Sequence, residues 1–155
     1  MVSIGQTFPS FELSDLDSKS RDSQEWLGRG RVLVTVYKAS CPVCQQTLPY
    51  LDRLAAGGQL PVILISQDDL GTAVKFNHTF SIRSAPTLIE SKGYPLSNKL
   101  GITTVPSLFL VDNAGKIVSS WTGFSKADME SLESYSGVPV FTEAERSSAP
   151  VFRPG

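Results

Sequence analysis

The stretch Val32-Leu-Val-Thr-Val-Tyr-Lys-Ala-Ser-Cys-Pro-Val-Cys44 decides how this chain folds. Its first six residues are β-branched, aliphatic or aromatic and have the length of a strand. From Cys44 onward, polar and apolar residues alternate with the spacing of an amphipathic helix. The tetrapeptide 41–44 is therefore expected to be the turn from a buried strand into the N-terminus of a helix.

The two cysteines of the chain both lie in this tetrapeptide. A disulfide between them would close too short a loop to restrict the unfolded chain usefully. A zinc site usually needs four protein ligands, and beyond this pair the chain holds only His78, so zinc would need ligands from another chain. A buried, inert cysteine pair is the remaining structural alternative, and the position at a helix N-terminus argues against it.

The helix N-terminus favours a thiolate on Cys41, because the first helical N–H groups lack partners and the helix dipole attracts negative charge. Pro42 loses no needed hydrogen bond at the first helical position and has a suitable φ. Cys44 is expected to be less exposed and to attack Cys41 once a mixed disulfide has formed. The motif thus predicts thiol-disulfide exchange, with Cys41 as the attacking residue.

Strand-like and helix-like segments alternate along the rest of the chain. The predicted strands are 31–37, 61–66, 86–90, 106–112 and 116–121, and the predicted helices are 42–56, 70–80, 96–100 and 125–135. This order predicts an α/β fold with a mixed sheet and helices on both faces. The charged segment 15–25 is expected to be a short helix or loop over one sheet edge. Residues 1–137 are predicted to form one domain, and 138–155 a tail that is loose or laid along the surface.

Charge and hydropathy limit the possible partners and locations. The net charge of -1 comes from 14 basic and 15 acidic residues, without the basic stripe that nucleic-acid binding requires. No apolar run is long enough to span a bilayer. Residues 1–8 lack the pattern of a signal peptide, so the expected location is cytoplasmic for a complete chain, or periplasmic or otherwise extracytoplasmic if a leader was removed. We predict no cofactor and no metal.

These segments together resemble the thioredoxin-fold redoxins of the AhpC/TSA-redoxin superfamily, and most closely the TlpA-like and ResA-like thiol-disulfide oxidoreductases. The resemblance covers residues 3–135 and is carried by 34–44, Pro49, 101–106, 107–112 and Gly123. It implies a thioredoxin-like three-layer α/β/α sandwich with an N-terminal extension and a C-terminal β-hairpin plus helix. It also implies client proteins with disulfides or thiols, and an upstream thiol electron donor. Pro-Val between the cysteines favours a reductant.

The resemblance assigns further site residues. It implies that Pro106 follows a cis peptide bond and faces the two cysteines. It also implies that Thr104 and Val105 offer backbone groups to an extended substrate, which would pair with them as a β-strand. In this family the helix after the motif is kinked at a proline, here Pro49.

Three residues depart from the family pattern. Thr35 stands where thioredoxin has a buried carboxylate, so Cys44 must lose its proton to water, to the leaving thiolate or to another carboxylate such as Glu90. The alternative expectation for Glu90 is that it is a solvated loop residue without a role in proton transfer. Ser40 replaces the usual tryptophan before the first cysteine. Lys38 either stabilises the Cys41 thiolate by its charge or is simply solvated.

A peroxiredoxin is the second reading of the sequence. Residues 5–13 resemble the N-terminal sequence of that family. Cys41 would then be the peroxidatic cysteine and Cys44 the resolving cysteine. A peroxide pocket is shaped by a threonine and a proline upstream of the peroxidatic cysteine. At these positions the chain has Lys38 and Val34. Arg83 either mimics the pocket arginine or is a surface charge.

A binding module without redox activity, or a copper or haem assembly factor, is the third reading. No Met-rich or His-rich segment supports metal delivery. His78, in a predicted surface helix, is more typical of a solvated side chain than of a catalytic one.

Overall fold

The computed structural model describes all 155 residues, and its main feature is a seven-stranded sheet. Its strands are β1 (Glu12–Asp15), β2 (Ser20–Asp22), β3 (Val32–Tyr37), β4 (Val62–Ser66), β5 (Thr87–Ile89), β6 (Ser107–Val111) and β7 (Ile117–Thr122). Their order is β2-β1-β5-β4-β3-β6-β7. Strands β3, β4 and β5 are parallel, and the neighbours on either side pair antiparallel. The mixed sheet is thus confirmed.

Helices cover both faces of the sheet. They are α1 (Pro42–Ala56), α2 (Leu70–Thr79), α3 (Pro95–Leu100), α4 (Lys126–Ser131), α5 (Glu133–Ser136) and α6 (Glu143–Ser148). One hydrophobic cluster joins the sheet to α1, α2 and α4, and a second joins its other face to α3 and to the apolar residues of segment 8–13. The three-layer α/β/α sandwich is therefore confirmed. None of the helices combines the length and the hydropathy that a membrane crossing needs.

Strand β3 lies inside the sheet, between β4 and β6, and is buried along its whole length. Leu33 and Tyr37 point into the cluster under α1, whereas Val34 and Val36 point into the other cluster. Each such buried side chain contributes about 1.5–3 kcal/mol of transfer free energy. The cysteine motif therefore follows a strand that is packed on both faces.

The prediction for segment 15–25 is wrong in part, because Asp15 and Ser20–Asp22 belong to strands. Strands β1 and β2 form an antiparallel hairpin at the sheet edge, and only Ser23–Glu25 is a short 3-10 helix. Asp15 closes the hairpin, since its Oδ1 accepts the Asp17 and Lys19 backbone N–H groups at 2.9 and 3.0 Å. The charged side chains of an edge hairpin face water, so the segment lacks the apolar alternation that predicts strands.

The predicted helix 125–135 is interrupted. Ser125 caps its start, because the Ser125 side chain accepts the Asp128 N–H. The helix then breaks at Leu132 into α4 and α5. It ends at Gly137, which has φ 73° and can adopt this left-handed conformation without a Cβ clash.

Residues 138–155 return across the face that carries α1 and α4. Val140 and Phe141 are buried in the cluster under α1. Arg53 of α1 donates to Val140 O at 2.8 Å and pairs with Glu145 at 2.7 Å. After α6 the chain forms β9 (Phe152–Arg153), which pairs with β8 (Phe124–Ser125).

Asp52 is expected to be the polar residue whose substitution destabilises this fold most. It is only 9% exposed, and its carboxylate accepts three backbone N–H groups, those of Arg83, Ser84 and Ala85, at 2.8–3.1 Å. Asp52→Ala leaves these donors unpaired, so we expect the free energy of unfolding to fall by roughly 2–4 kcal/mol. Urea denaturation measures the loss.

Two controls define that result. Asp52→Asn keeps one acceptor oxygen and should lose less stability. Asp17→Ala removes an exposed carboxylate and should lose almost none. An Asp52→Ala protein as stable as the parent would contradict the role given to this carboxylate.

Candidate active site

Cys41 lies at the N-terminal cap of α1. Its backbone is extended (φ -84°, ψ 114°), and Pro42 is the first residue of the helix. The Cys41 Sγ accepts the backbone N–H of Cys44 at 3.1 Å. An N–H of the first helical turn therefore points at the sulfur, which is the arrangement that stabilises a thiolate. Both cysteines are free thiols, and Cys41 is the one that reaches solvent.

Cys44 is fully buried one turn further along the helix. Burial raises the pKa of its thiol, and the neighbouring Cys41 thiol raises it further. The backbone N–H of Lys38 acts in the opposite direction. Cys44 is therefore a protonated, protected thiol near neutral pH and becomes a nucleophile only after it loses its proton.

The loop before β6 faces the first cysteine, although it is distant in sequence. The Val105–Pro106 peptide bond is cis, as the resemblance implied. The Cys41 Sγ donates to Val105 O at 3.6 Å, and the Ser107 hydroxyl donates to Thr104 O at 2.6 Å. The fold thus places Thr104, Val105 and Pro106 beside the end of α1.

Thr35 lies on β3, on the side of the sheet that carries α1. It shares the strand face of Leu33 and Tyr37, whose cluster includes Cys44. Its hydroxyl is completely buried and has no hydrogen-bond partner. A threonine hydroxyl does not ionise near neutral pH, so this site lacks a proton carrier at that position.

Glu90 is buried, and the expectation of a solvated loop residue is wrong. It is 2% exposed, and its carboxylate accepts the backbone N–H groups of Leu96 and Ser97, each at 3.0 Å, and the Ser97 hydroxyl. These bonds give hydrogen-bond partners to backbone N–H groups in the first turn of α3 that have none within the helix. No hydrogen bond joins Glu90 to Cys44. The Glu90 carboxylate therefore has a structural role, and not the role in proton transfer that the sequence suggested.

The side chains of Lys38 and Ser40 flank the motif and make no hydrogen bond to either thiol. Lys38 Nζ lies 5.9 Å from the ring centroid of Tyr94, a cation–π distance, and makes no hydrogen bond to Cys41. Ser40 is exposed immediately before the first cysteine.

Arg83 and His78 lie away from the cysteines. Arg83 precedes β5 and lines a surface cleft with Asp15 and Arg21. That cleft adjoins the N-terminal end of β5, whereas Cys41 follows the C-terminal end of the parallel strand β3. His78 is exposed on the last turn of α2. Neither residue can act directly on the thiols from these positions.

Asp68 is the site residue that the sequence analysis missed. Its Oδ2 accepts the backbone N–H of Ala39 at 2.7 Å, so it holds the turn that leads to Cys41. After burial and the Cys41 thiol, the negative charge of Asp68 is among the influences that raise the pKa of Cys44. The available signal was its position two residues after β4, because the carboxyl ends of adjacent parallel strands meet at one edge.

Substituting Asp68 separates its two effects. Asp68→Ala removes both the acceptor and the charge, so we expect the free energy of unfolding to fall by about 1–2 kcal/mol and the pKa of Cys44 to decrease. Asp68→Asn keeps an acceptor oxygen, so stability should be largely retained while the pKa of Cys44 still decreases. Urea denaturation and the pH dependence of Cys44 alkylation measure the two quantities. Equal behaviour of both variants in both measurements would contradict this assignment.

Comparisons with known proteins agree with this geometry. The chain is 28% identical over 138 residues to the thiol-disulfide oxidoreductase ResA of Bacillus thuringiensis, covering 86% of this chain and 77% of the relative. It is 32% identical over 116 residues to the thiol:disulfide interchange protein DsbE of Yersinia pestis, covering 74% and 61%. The crystal structure of a putative DsbE from Chlorobium tepidum superposes with a TM-score of 0.75 at 24% identity, covering 87% and 96%. The model of the AhpC/TSA family matches residues 4–120, well over half of the sequence, so the chain belongs to that family.

Proposed function

We propose that this protein is a thiol-disulfide oxidoreductase that exchanges a Cys41–Cys44 disulfide with client proteins, with Cys41 as the attacking thiolate. The enzyme class is that of its relatives ResA and DsbE. The observation that carries the assignment of residues is the position of the Cys41 Sγ. It lies 3.1 Å from the Cys44 N–H donor atom and 3.6 Å from Val105 O, at a helix N-terminus and beside a loop that can hold an extended peptide.

The reaction begins at Cys41. Its thiolate attacks one sulfur of a client disulfide, the client S–S bond breaks, and one client sulfur leaves as a thiolate that takes a proton from water. The product is a mixed disulfide between Cys41 and the client.

Cys44 completes the reaction. It loses its proton and attacks the Cys41 sulfur, which forms the Cys41–Cys44 disulfide and releases the second client thiolate. Two electrons have then passed from the cysteine pair to the client, and an upstream dithiol donor must return them. Because Thr35 cannot take the proton from Cys44, water or the departing client thiolate takes it.

The edge formed by Thr104 and Val105 is the proposed docking site for clients. Both residues are partly exposed, and the carbonyl of Val105 lies beside the Cys41 sulfur. A client segment that pairs with this edge as a β-strand would bring its disulfide to Cys41. Backbone pairing of this kind favours protein clients over small molecules.

We further propose that the pair acts as a reductant outside the cytoplasm. Proteins with persistent disulfides occur in oxidising compartments and are rare in the cytosol. Cell fractionation with an antibody to the protein tests the location, and recovery of the protein with cytosolic markers would contradict it.

A comparison of two substrates tests the proposed activity. The reduced protein should reduce a protein disulfide, such as that of insulin, and should consume hydrogen peroxide only slowly. The residues around Cys41 favour this result, because Lys38 and Val34 replace the residues of a peroxide pocket and Arg83 lies near the opposite end of the sheet. Rapid peroxide consumption that requires Cys41, without reduction of insulin, would replace the proposal with a thiol peroxidase.

A further inference from the structure

Residues 151–155 lie across the proposed docking edge. After α6 the chain turns back, and the two residues of β9 pair with those of β8. The Lys126 backbone N–H donates to Val151 O at 3.0 Å, which fixes the start of this pairing. From there the segment runs past Gly123 to Gly155, which lies against Val105.

Gly155 covers the carbonyl group that a client would use. A Cβ atom placed on Gly155 would overlap Val105 O and would lie 2.8 Å from Val105 C and 2.9 Å from Thr104 Cγ2. The backbone of Gly155 is therefore in close contact with the carbonyl beside the Cys41 sulfur. A client strand cannot occupy the same space.

Gly123 permits the close approach from the other side. It has φ +74°, and a Cβ atom there would overlap Arg153 O and lie 3.0 Å from Gly155 N. Its own N–H donates to Pro106 O at 2.9 Å, so Gly123 links the segment to the loop of the cis bond. Arg153 adds a side-chain hydrogen bond to Gln46 of α1, two residues after Cys44. The segment thus contacts both parts of the site.

This packing is weak enough to be reversible. Strand β9 has only two residues, and so short a two-stranded pairing is marginal in water. Val151 is 79% exposed and Phe152 is 57% exposed, so neither apolar side chain holds the segment in place. Residues 138–155 are anchored to the core by the buried side chains of Val140 and Phe141, which precede the segment 151–155.

We propose that residues 151–155 act as an internal competitor that occupies the client edge and must leave before a client strand can pair with Val105. The inference rests on the proposed function, because it concerns the same edge. A client binds only the molecules in which the segment has left, so its apparent affinity is reduced by the fraction that is open. A small disulfide that reaches Cys41 without pairing with Val105 is not subject to this competition.

Two substitutions in the full chain release the segment without touching the cysteines. Gly155→Val adds a side chain where none fits, and Arg153→Ala removes the bond to Gln46. For each, we expect kcat/KM for insulin to rise about three- to tenfold, as the open fraction increases. The rate with a small aromatic disulfide should stay unchanged. Arg29→Ala, which removes an exposed arginine before β3, is the matched control and should change neither rate.

Hydrogen exchange supplies the structural readout. The Lys126 amide, which donates to Val151 O, should exchange faster in both variants. It should also exchange faster in the parent sequence carrying Cys44→Ser once Cys41 holds a cysteine-containing peptide as a mixed disulfide. Unchanged protection of this amide in that mixed disulfide would overturn the inference, because the client would then bind with the segment in place.

The kinetic outcomes separate this inference from the proposed function. If hydrogen exchange shows that the segment is released in the two variants but their kcat/KM for insulin is unchanged, the proposed competition is wrong. The assignment as an oxidoreductase would still stand. A parent protein that reduces neither insulin nor the small disulfide would refute the proposed function itself.

Discussion

Cys41→Ser is expected to abolish disulfide exchange, lowering kcat/KM for insulin by roughly three orders of magnitude or more. A serine hydroxyl at the N-terminus of α1 stays protonated near neutral pH, so no nucleophile remains at position 41, the one of the two cysteine positions that reaches solvent. The insulin reduction assay measures the effect. Ser40→Ala, a change at the exposed neighbouring residue, is the control and should keep nearly full activity. Substantial activity in Cys41→Ser would mean that Cys44 attacks clients directly, against its complete burial.

Cys44→Ser is expected to stop the reaction after its first step. Cys41 can still attack the client, but no second thiol can attack the resulting mixed disulfide. The variant should therefore accumulate a covalent complex, visible by mass spectrometry as the sum of protein and client masses and lost on treatment with dithiothreitol. The absence of such a complex, together with multiple turnover, would contradict the division of roles between the two cysteines.

The pH dependence of the second step follows from the burial of Cys44. Burial raises the pKa of this thiol, so the thiol form predominates near neutral pH. Below its pKa the thiolate fraction increases about tenfold for each pH unit. Resolution of the mixed disulfide should accelerate accordingly between pH 7 and pH 9, because Thr35 provides no internal base. A rate that is flat over this range would indicate a proton carrier that the site does not show.

The sequence predicts the central part of the fold well because that part depends on local patterns. The run 32–37 is β-branched, aliphatic or aromatic throughout and becomes the buried strand β3, and Pro42 begins α1 where the motif predicts. The cis bond before Pro106 has no local signal and followed only from the family resemblance. The hairpin β1–β2 was missed because its charges mask the strand pattern.

The roles of buried polar residues could not be predicted from the sequence. Glu90 and Asp68 both follow strands and both look like surface residues, yet one holds the start of α3 and the other holds the turn at Ala39. Their partners are backbone N–H groups, and nothing in a sequence identifies which backbone groups will need an acceptor. Such contacts appear only when the tertiary structure brings the chain segments together.

The tail shows the same limit for apolar residues. Val140 and Phe141 are buried, whereas Val151 and Phe152 are exposed, although the two pairs have the same chemical character. The difference arises from position: the first pair reaches the cluster under α1, and the second lies on a two-residue strand at the surface. The sequence predicts that docking is possible but not where the segment ends up.

Equilibration of the cysteine pair with glutathione redox buffers, followed by mass spectrometry of the trapped species, determines whether Cys41 and Cys44 act as one redox couple. We expect one cooperative two-electron transition, with a disulfide between Cys41 and Cys44 and a potential in the reducing range near that of thioredoxin, about -270 mV. Independent oxidation of the two thiols, or the absence of any Cys41–Cys44 disulfide across the range of buffers, would contradict it.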